Sequence, residues 1–219
     1  MKKFHDIEFR DNFTFFVIIL ILVSIFFVKD YLITLEYLTE YHEDNDIKVL
    51  EEAKAQKIIA DKADIAIKAI KFKSFATLSK IIHPKKGVRI SPYYYVMQKD
   101  IVIKKNEFLP LYASTDQLIW GVNNNLKPIE LTFADYYQYY LYADDFANYD
   151  EIYYNPVSKV NNIIDNTRQF YPKAIFVEYH IFNDFIDSSS GYRAILKLVF
   201  EEYRNDWYLT AIINVRGIT

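Results

Sequence analysis

The spacing of apolar positions changes along the chain, and each change predicts a different kind of element. Between Phe13 and Val28 the pattern is continuous: "FTFFVIILILVSIFFV" carries no charge, and only Thr14 and Ser24 are mildly polar. A bilayer-spanning helix takes roughly 20 apolar residues. The run reaches that length when Lys29 snorkels and "YLI" at Tyr31 to Ile33 is included. Leu32, Leu35 and Leu38, with Tyr41 or His42 next, then form a narrow stripe at helical spacing, which "HEDND" interrupts before a second helix from about Ile47. That helix presents Ile58, Ile59, Ala63, Ile65, Ala66 and Ile70 as a broader apolar face. "SFATLSKII", from Ser74, continues as helix and ends at His83-Pro84, because proline disfavours helical geometry in the residue before it.

Beyond Gly87 the pattern becomes strand-like. "VRISPYYYVM" enters a strand, "IVIKKNEFLPLYAS" reads as a short strand and a helical turn, and "IWGVNNNLKPIELTF" reads as a connection containing a turn. "TFADYYQYYLYADDF" predicts a helix capped by Thr132, with Asp135 at the capping-box spacing. Ala174–Phe182, Tyr192–Tyr203 and Trp207–Ile218 are rich in β-branched and aromatic residues, and "RND" joins the last two as a hairpin. Helices first and long strands last predict an α+β fold, a curved antiparallel sheet packed on helices.

Charge orders these elements. Lys2, Lys3 and Arg10 precede the apolar run, whereas Asp30 to Ile47 contains no Lys or Arg. The positive-inside rule then places the N-terminus in the cytoplasm and the rest beyond the inner membrane. No small-residue cleavage signal follows the run, so a retained single-pass anchor is expected. The expected organisation is a cytoplasmic tail over 1–12, an anchor over 13–33, a helical stalk over 34–67 and an extracytoplasmic α+β domain over 68–219. The stalk offers a route to a homo-oligomer. Composition narrows the chemistry. There is no cysteine, which excludes disulfides, thiolate metal sites and a lipidated cysteine, and a net charge of −3 with interspersed signs leaves no nucleic-acid footprint. No cofactor motif is legible.

The ordered strings "HPKKGVRISPYYYV", "WG" at Trp120, "PIELTFADYYQYY", "DFAN", "VEYHIF" and "LKLVFEEYRNDWYLTAII" span about residues 68–219. Together they resemble a family of uncharacterised bacterial lipoproteins and secreted proteins. The resemblance implies architecture rather than a reaction, with a layout similar to the cone-shaped nuclear-transport-factor-2-like folds. At the other end, Asp11 stands just before the apolar run with Thr14 one turn later. That pair resembles the ion-carrying helix of the flagellar motor's B protein and the ExbD/TolR group, which implies an ion path and a multi-span membrane partner.

Two places invite chemistry. In "IIHPKKGVRISPYYYV" a phosphate cradle would need several converging backbone amides, and one glycine does not provide them. A turn explains the string better: Pro84 stops the helix, Gly87 takes a permissive dihedral, and Lys85, Lys86 and Arg89 form a solvated rim. The second place is the strand around Val177, where Glu178 and His180 are two apart and share a face with Phe176 and Phe182. They are the candidate acid/base pair. Without a nucleophile or oxyanion-hole signature, the simpler expectation is a hydrogen-bonded pair that fixes the loop from His83 to Ser91 against the sheet. The candidate binding set is therefore His83, Ser91, Tyr93, Glu178 and His180, with no metal site. The expected role is a non-enzymatic binding or assembly module of an envelope complex, with an envelope protein as partner. The alternatives are an energy-transducing subunit using Asp11 and a small hydrolase or isomerase using Glu178 and His180.

Overall fold

The structure, a computed structural model, describes residues 51–93, 95–123, 127–156, 165–182 and 192–216, and residues 24, 25, 28, 29 and 32. The chain divides into two compact units, 1–50 and 51–219. The elements below all belong to the second. Asp11, Thr14, the stripe from Leu35 to Tyr41 and most of the 13–33 run lie outside the described residues. Within that run Ser24, Ile25, Val28, Lys29 and Leu32 are helical and exposed. Among the described residues no helix is long and apolar enough to cross a membrane.

Helix α1 covers residues 51–71, and its buried positions Ala55, Ile59, Ala63, Ala66, Ile67 and Ile70 recur every three or four residues. This stripe is narrower than the sequence pattern predicts. Ile58 and Ile65 are both 42% exposed, because each sits about 100° around the helix from its buried neighbour, Ile59 or Ala66. The helix ends in a Schellman motif closed by Lys73 at φ 52°, with Ser74 N donating to Ala69 O and Lys73 N to Ile70 O. Helix α2, Phe75–Ile81, follows and stops before His83-Pro84 as expected.

The remaining elements are β1 (Val88–Ser91), β2 (Val102–Ile103), α3 (Phe108–Ala113), β3 (Leu118–Val122), β4 (Pro128–Leu131), α4 (Phe133–Tyr136), β5 (Glu151–Tyr154), α5 (Thr167–Phe170), β6 (Ile175–Phe182), β7 (Tyr192–Tyr203) and β8 (Asp206–Arg216). Thr132 caps α4: its hydroxyl accepts from Asp135 N at 3.1 Å and donates to the Asp135 carboxylate at 2.7 Å. The helix continues as a π-helical turn over Tyr137–Leu141. The turn between β7 and β8 holds Arg204 and Asn205 at φ 53° and 62°, the left-handed pair of a type I′ hairpin.

Six strands form one sheet in the order β2-β1-β8-β7-β6-β5. It is mixed rather than wholly antiparallel, since β1 runs parallel to β8. The reason is topological: β1 follows α2 and the turn after it rather than a hairpin from β8, and the parallel alignment already begins at Ile82, which bridges Leu209. The stretch expected to be a connection, 119–133, instead holds most of the hairpin β3–β4, a separate two-stranded sheet.

Both faces of the large sheet are covered. On one face Val177, Tyr179, Leu196, Leu198, Leu209 and Ile212 join the main core with α1, α2 and a group of rings. There Trp120 stacks on Tyr136 at 4.1 Å, Phe75 meets Tyr137 edge-on, and the Tyr137 hydroxyl donates to the Ile70 carbonyl near the end of α1. The second face carries a smaller cluster of Phe176, Ile195, Val199, Ala211 and Ile213, closed by Val96, Phe170 and Tyr171. A β-bulge links the two faces. Val199 pairs with Ala211 and Phe200 with Leu209, leaving Thr210 as an extra residue on β8.

Candidate functional site

Strand alternation places Phe176, Glu178 and His180 on the second face, and the pairing places Lys197 directly opposite Glu178. Glu178 Oε2 lies 2.8 Å from His180 Nε2, and its Oε1 accepts from Lys197 Nζ at 2.9 Å. The ammonium also donates to Asp165 Oδ2 at 2.7 Å and to the Thr167 hydroxyl at 3.2 Å. Thr167 Oγ1 and N both donate to Asp165 Oδ1, at 2.6 and 2.8 Å, which folds the start of α5 around that carboxylate. The Tyr153 ring lies edge-on to the imidazole at 4.9 Å. Two carboxylates thus share one ammonium, and imidazole and hydroxyl donors serve their remaining lone pairs.

The centre of the constellation is closed to solvent, with Glu178 and His180 4% exposed, Lys197 3% and Thr167 1%, while Asp165 is partly buried at its edge. Burial alone pushes the Glu178 carboxyl up, but hydrogen bonding to His180 and the Lys197 charge more than offset it, so its pKa is lowered. Asp165 behaves likewise. Desolvation raises it, while the Lys197 charge and the hydrogen bonds from Lys197 and Thr167 bring the balance below the ordinary value. Paired carboxylates whose pKa values are lowered, around an ammonium itself buried, are suited to fastening, not to proton transfer.

What they fasten differs from the sequence expectation. Glu178 and His180 do not hold the loop from His83 to Ser91. Through Lys197 they hold the segment beginning at Asp165, because that segment supplies the second carboxylate facing the ammonium. Asn166 extends the clasp, accepting from Val96 N at 2.7 Å and donating to Val96 O at 2.9 Å. The sequence reading missed Lys197, Asp165 and Thr167. A lone lysine inside "AILKLVF" was the signal for the first, and Asp-x-Thr at a helix start was the signal for the others.

The five expected binding residues fall into separate places. The His83 ring packs on Tyr203 at 5.1 Å, and its Nδ1 accepts from Lys85 N at 3.2 Å and Lys86 N at 3.0 Å. Burial, then the Lys86 charge, lowers its pKa, consistent with an imidazole kept neutral to accept those amides. Gly87, at φ 79°, closes the turn by donating to His83 O at 2.9 Å. "HPKKG" is therefore a histidine-braced turn. Ser91 donates to the Tyr93 carbonyl at 3.0 Å, and the Tyr93 hydroxyl is buried without a hydrogen-bond partner among the described residues. His83 lies at the Tyr203 end of β7, whereas His180 pairs with Ile195; the eight residues between these points span about 26 Å of strand.

One open concavity stands beside the covering segment. Lys86, Arg89, Lys104, Phe170, Tyr171 and Thr210 line a groove of about 390 Å³ on the second face. Arg89 Nη1 donates to the carbonyls of Met97, Gln98 and Asp100, each at 3.0 Å, and its guanidinium lies 5.1 Å over the Phe170 ring. No group of metal-ligating side chains occurs among the described residues. No known family model, curated protein or solved structure matches the chain.

Proposed function

We propose that this chain is a single-pass envelope protein whose α+β body binds or assembles rather than catalyses. The observation that carries this reading is the closed ion-pair network: Glu178 and His180, the best acid/base candidates, are buried, mutually paired and occupied by Lys197. Their effect is mechanical. They pin the segment that carries Phe170 and Tyr171 over the sheet and so shape one wall of the open groove. The layout of helices over one face of a six-stranded sheet is in keeping with a nuclear-transport-factor-2-like architecture, which suits a binding role. Membrane attachment is supported by the uncharged 13–28 run, by its flanking charges, and by the exposed apolar side chains of Ile25, Val28 and Leu32. An envelope protein is the proposed partner.

Glu178→Gln tests the non-enzymatic reading, because glutamine keeps the shape and accepts hydrogen bonds but cannot shuttle a proton. Activity in cells should fall only in step with the level of folded protein. Abolished function at a wild-type level of folded protein would sink the module reading in favour of chemistry at this pair. Orientation is tested separately, by fusing after Thr219 a reporter active only outside the cytoplasm. It should be active, and a signal from a cytoplasm-only reporter there would reverse the topology.

A further inference from the structure

We propose that the groove on the second face binds a small ligand carrying a phosphate or carboxylate group on a flat, ring-sized body. The proposal deepens the binding-module reading and rests on it. At about 390 Å³ the groove falls within the size range of small-molecule sites. Its lining brings together three cations from successive elements, Lys86 from the turn, Arg89 from β1 and Lys104 just beyond β2, and includes no carboxylate. In a chain of net charge −3 this is a local reversal of sign, and it selects an anion.

Two of the three cations are held ready rather than neutralised. Arg89 is fixed by three backbone carbonyls and by the face of Phe170, so its orientation is set before any ligand arrives. Lys104 Nζ rests on the carbonyls of Lys86 and Lys85 at 3.0 and 3.3 Å. Among the described residues neither Arg89 nor Lys104 forms an ion pair, whereas Lys86 pairs with the largely buried Glu201 carboxylate at 2.7 Å, so it is the two unpaired cations that are open to a ligand. Asp100, whose backbone carbonyl helps to hold Arg89, has its carboxylate turned to the chain itself, accepting from Met97 N at 2.9 Å.

The rest of the wall fits the body of such a ligand. Phe170 and Tyr171 supply ring surface, and burial pushes the Tyr171 hydroxyl up to about 12, which keeps it a neutral donor. Thr210 reaches the groove because it is the extra residue of the β8 bulge. Bulges recur beside binding sites for this reason, since they re-aim a side chain without breaking the sheet. Convergence of the three cations on one bounded groove favours a compact ligand over an extended polyanion or a lipid surface.

The full chain in a non-ionic detergent is titrated calorimetrically with phenyl phosphate, with benzoate and with neutral benzyl alcohol. In parallel it is mixed with vesicles of phosphatidylglycerol or of phosphatidylcholine. Saturable one-to-one binding of at least one of the two anions is expected, with none for benzyl alcohol. Lys104→Gln should weaken that binding about tenfold or more while changing thermal unfolding little, since the two carbonyl contacts it gives up are exposed. Arg89→Lys should weaken it as well, because the fork is lost although the charge remains. The proposal is overturned by the absence of saturable binding for both anions, by binding that neither substitution alters, or by a response confined to phosphatidylglycerol vesicles. An empty groove leaves the Glu178→Gln result standing. A catalytic loss in Glu178→Gln with normal anion binding overturns the module reading alone.

Discussion

Lys197→Met is expected to destabilise the protein by about 3–5 kcal/mol, the cost of leaving a buried carboxylate without its counter-charge. Methionine fills similar volume, so the loss comes from Glu178 and Asp165, which face the vacated ammonium position at 2.9 and 2.7 Å. Urea unfolding followed by the fluorescence of Trp120 and Trp207 measures it, and a loss below about 1 kcal/mol, the scale of an exposed pair, would show that the network does not pin the covering segment. The pH dependence gives a second reading. In the native chain both carboxyls have lowered pKa values, so their contribution is complete above the ordinary values of 4.5 and 3.8 and is lost as pH falls through the folded-state values. In Lys197→Met the carboxyls lose the charge that held them down and protonate more readily. The deficit of the variant should therefore be largest near neutral pH and shrink on acidification. Adding Glu178→Gln to Lys197→Met should recover part of the loss, because one of the two stranded charges is removed.

Gly87→Val is expected to cost about 2–3 kcal/mol, because a β-branched residue must enter a left-handed conformation at φ 79°. A Cβ at this position would also meet the Ile103 carbonyl oxygen at 2.7 Å, and that oxygen belongs to the backbone of β2, so the strand itself must move. The paired substitution Lys85→Ala with Lys86→Ala should cost no more than about 1 kcal/mol, since its main loss is one ion pair, between the exposed Lys86 side chain and Glu201. The same denaturation assay compares them. A lysine pair that mattered more than Gly87 would mean that charge, not backbone geometry, organises this turn.

The difference between these two predictions reflects what each depends on. Gly87 was legible as a turn residue because its role is local: a proline ends α2, and a permissive residue three positions later reverses the chain. The Thr132 cap, the stop before Pro84 and the Arg204-Asn205 hairpin were legible for the same reason, since each is written within about four residues. The long strands β6, β7 and β8 were legible because β-branched and aromatic residues are continuous in them. The β3–β4 hairpin was not, because Gly121 and the asparagines beside it mask two short strands whose pairing stabilises them only together.

Sequence alone therefore determined the α+β class, the final hairpin, the turn chemistry of "HPKKG" and the shared face of Glu178 and His180. Tertiary structure decided what those two residues are for. Lys197 lies nineteen positions beyond Glu178, and Asp165 thirteen before it, and only the register of β6 against β7 brings the ammonium between the two carboxylates. The same is true of the groove. Lys86, Arg89 and Lys104 belong to one stretch of chain, but Phe170, Tyr171 and Thr210 reach them through the parallel pairing of β1 with β8, the bulge at Thr210 and the clasp of Asn166 on Val96. Local propensity fixes short-range geometry within a turn or two. Burial, charge pairing and concavity depend on which distant strands become neighbours, and that is settled only when both faces of the sheet are covered.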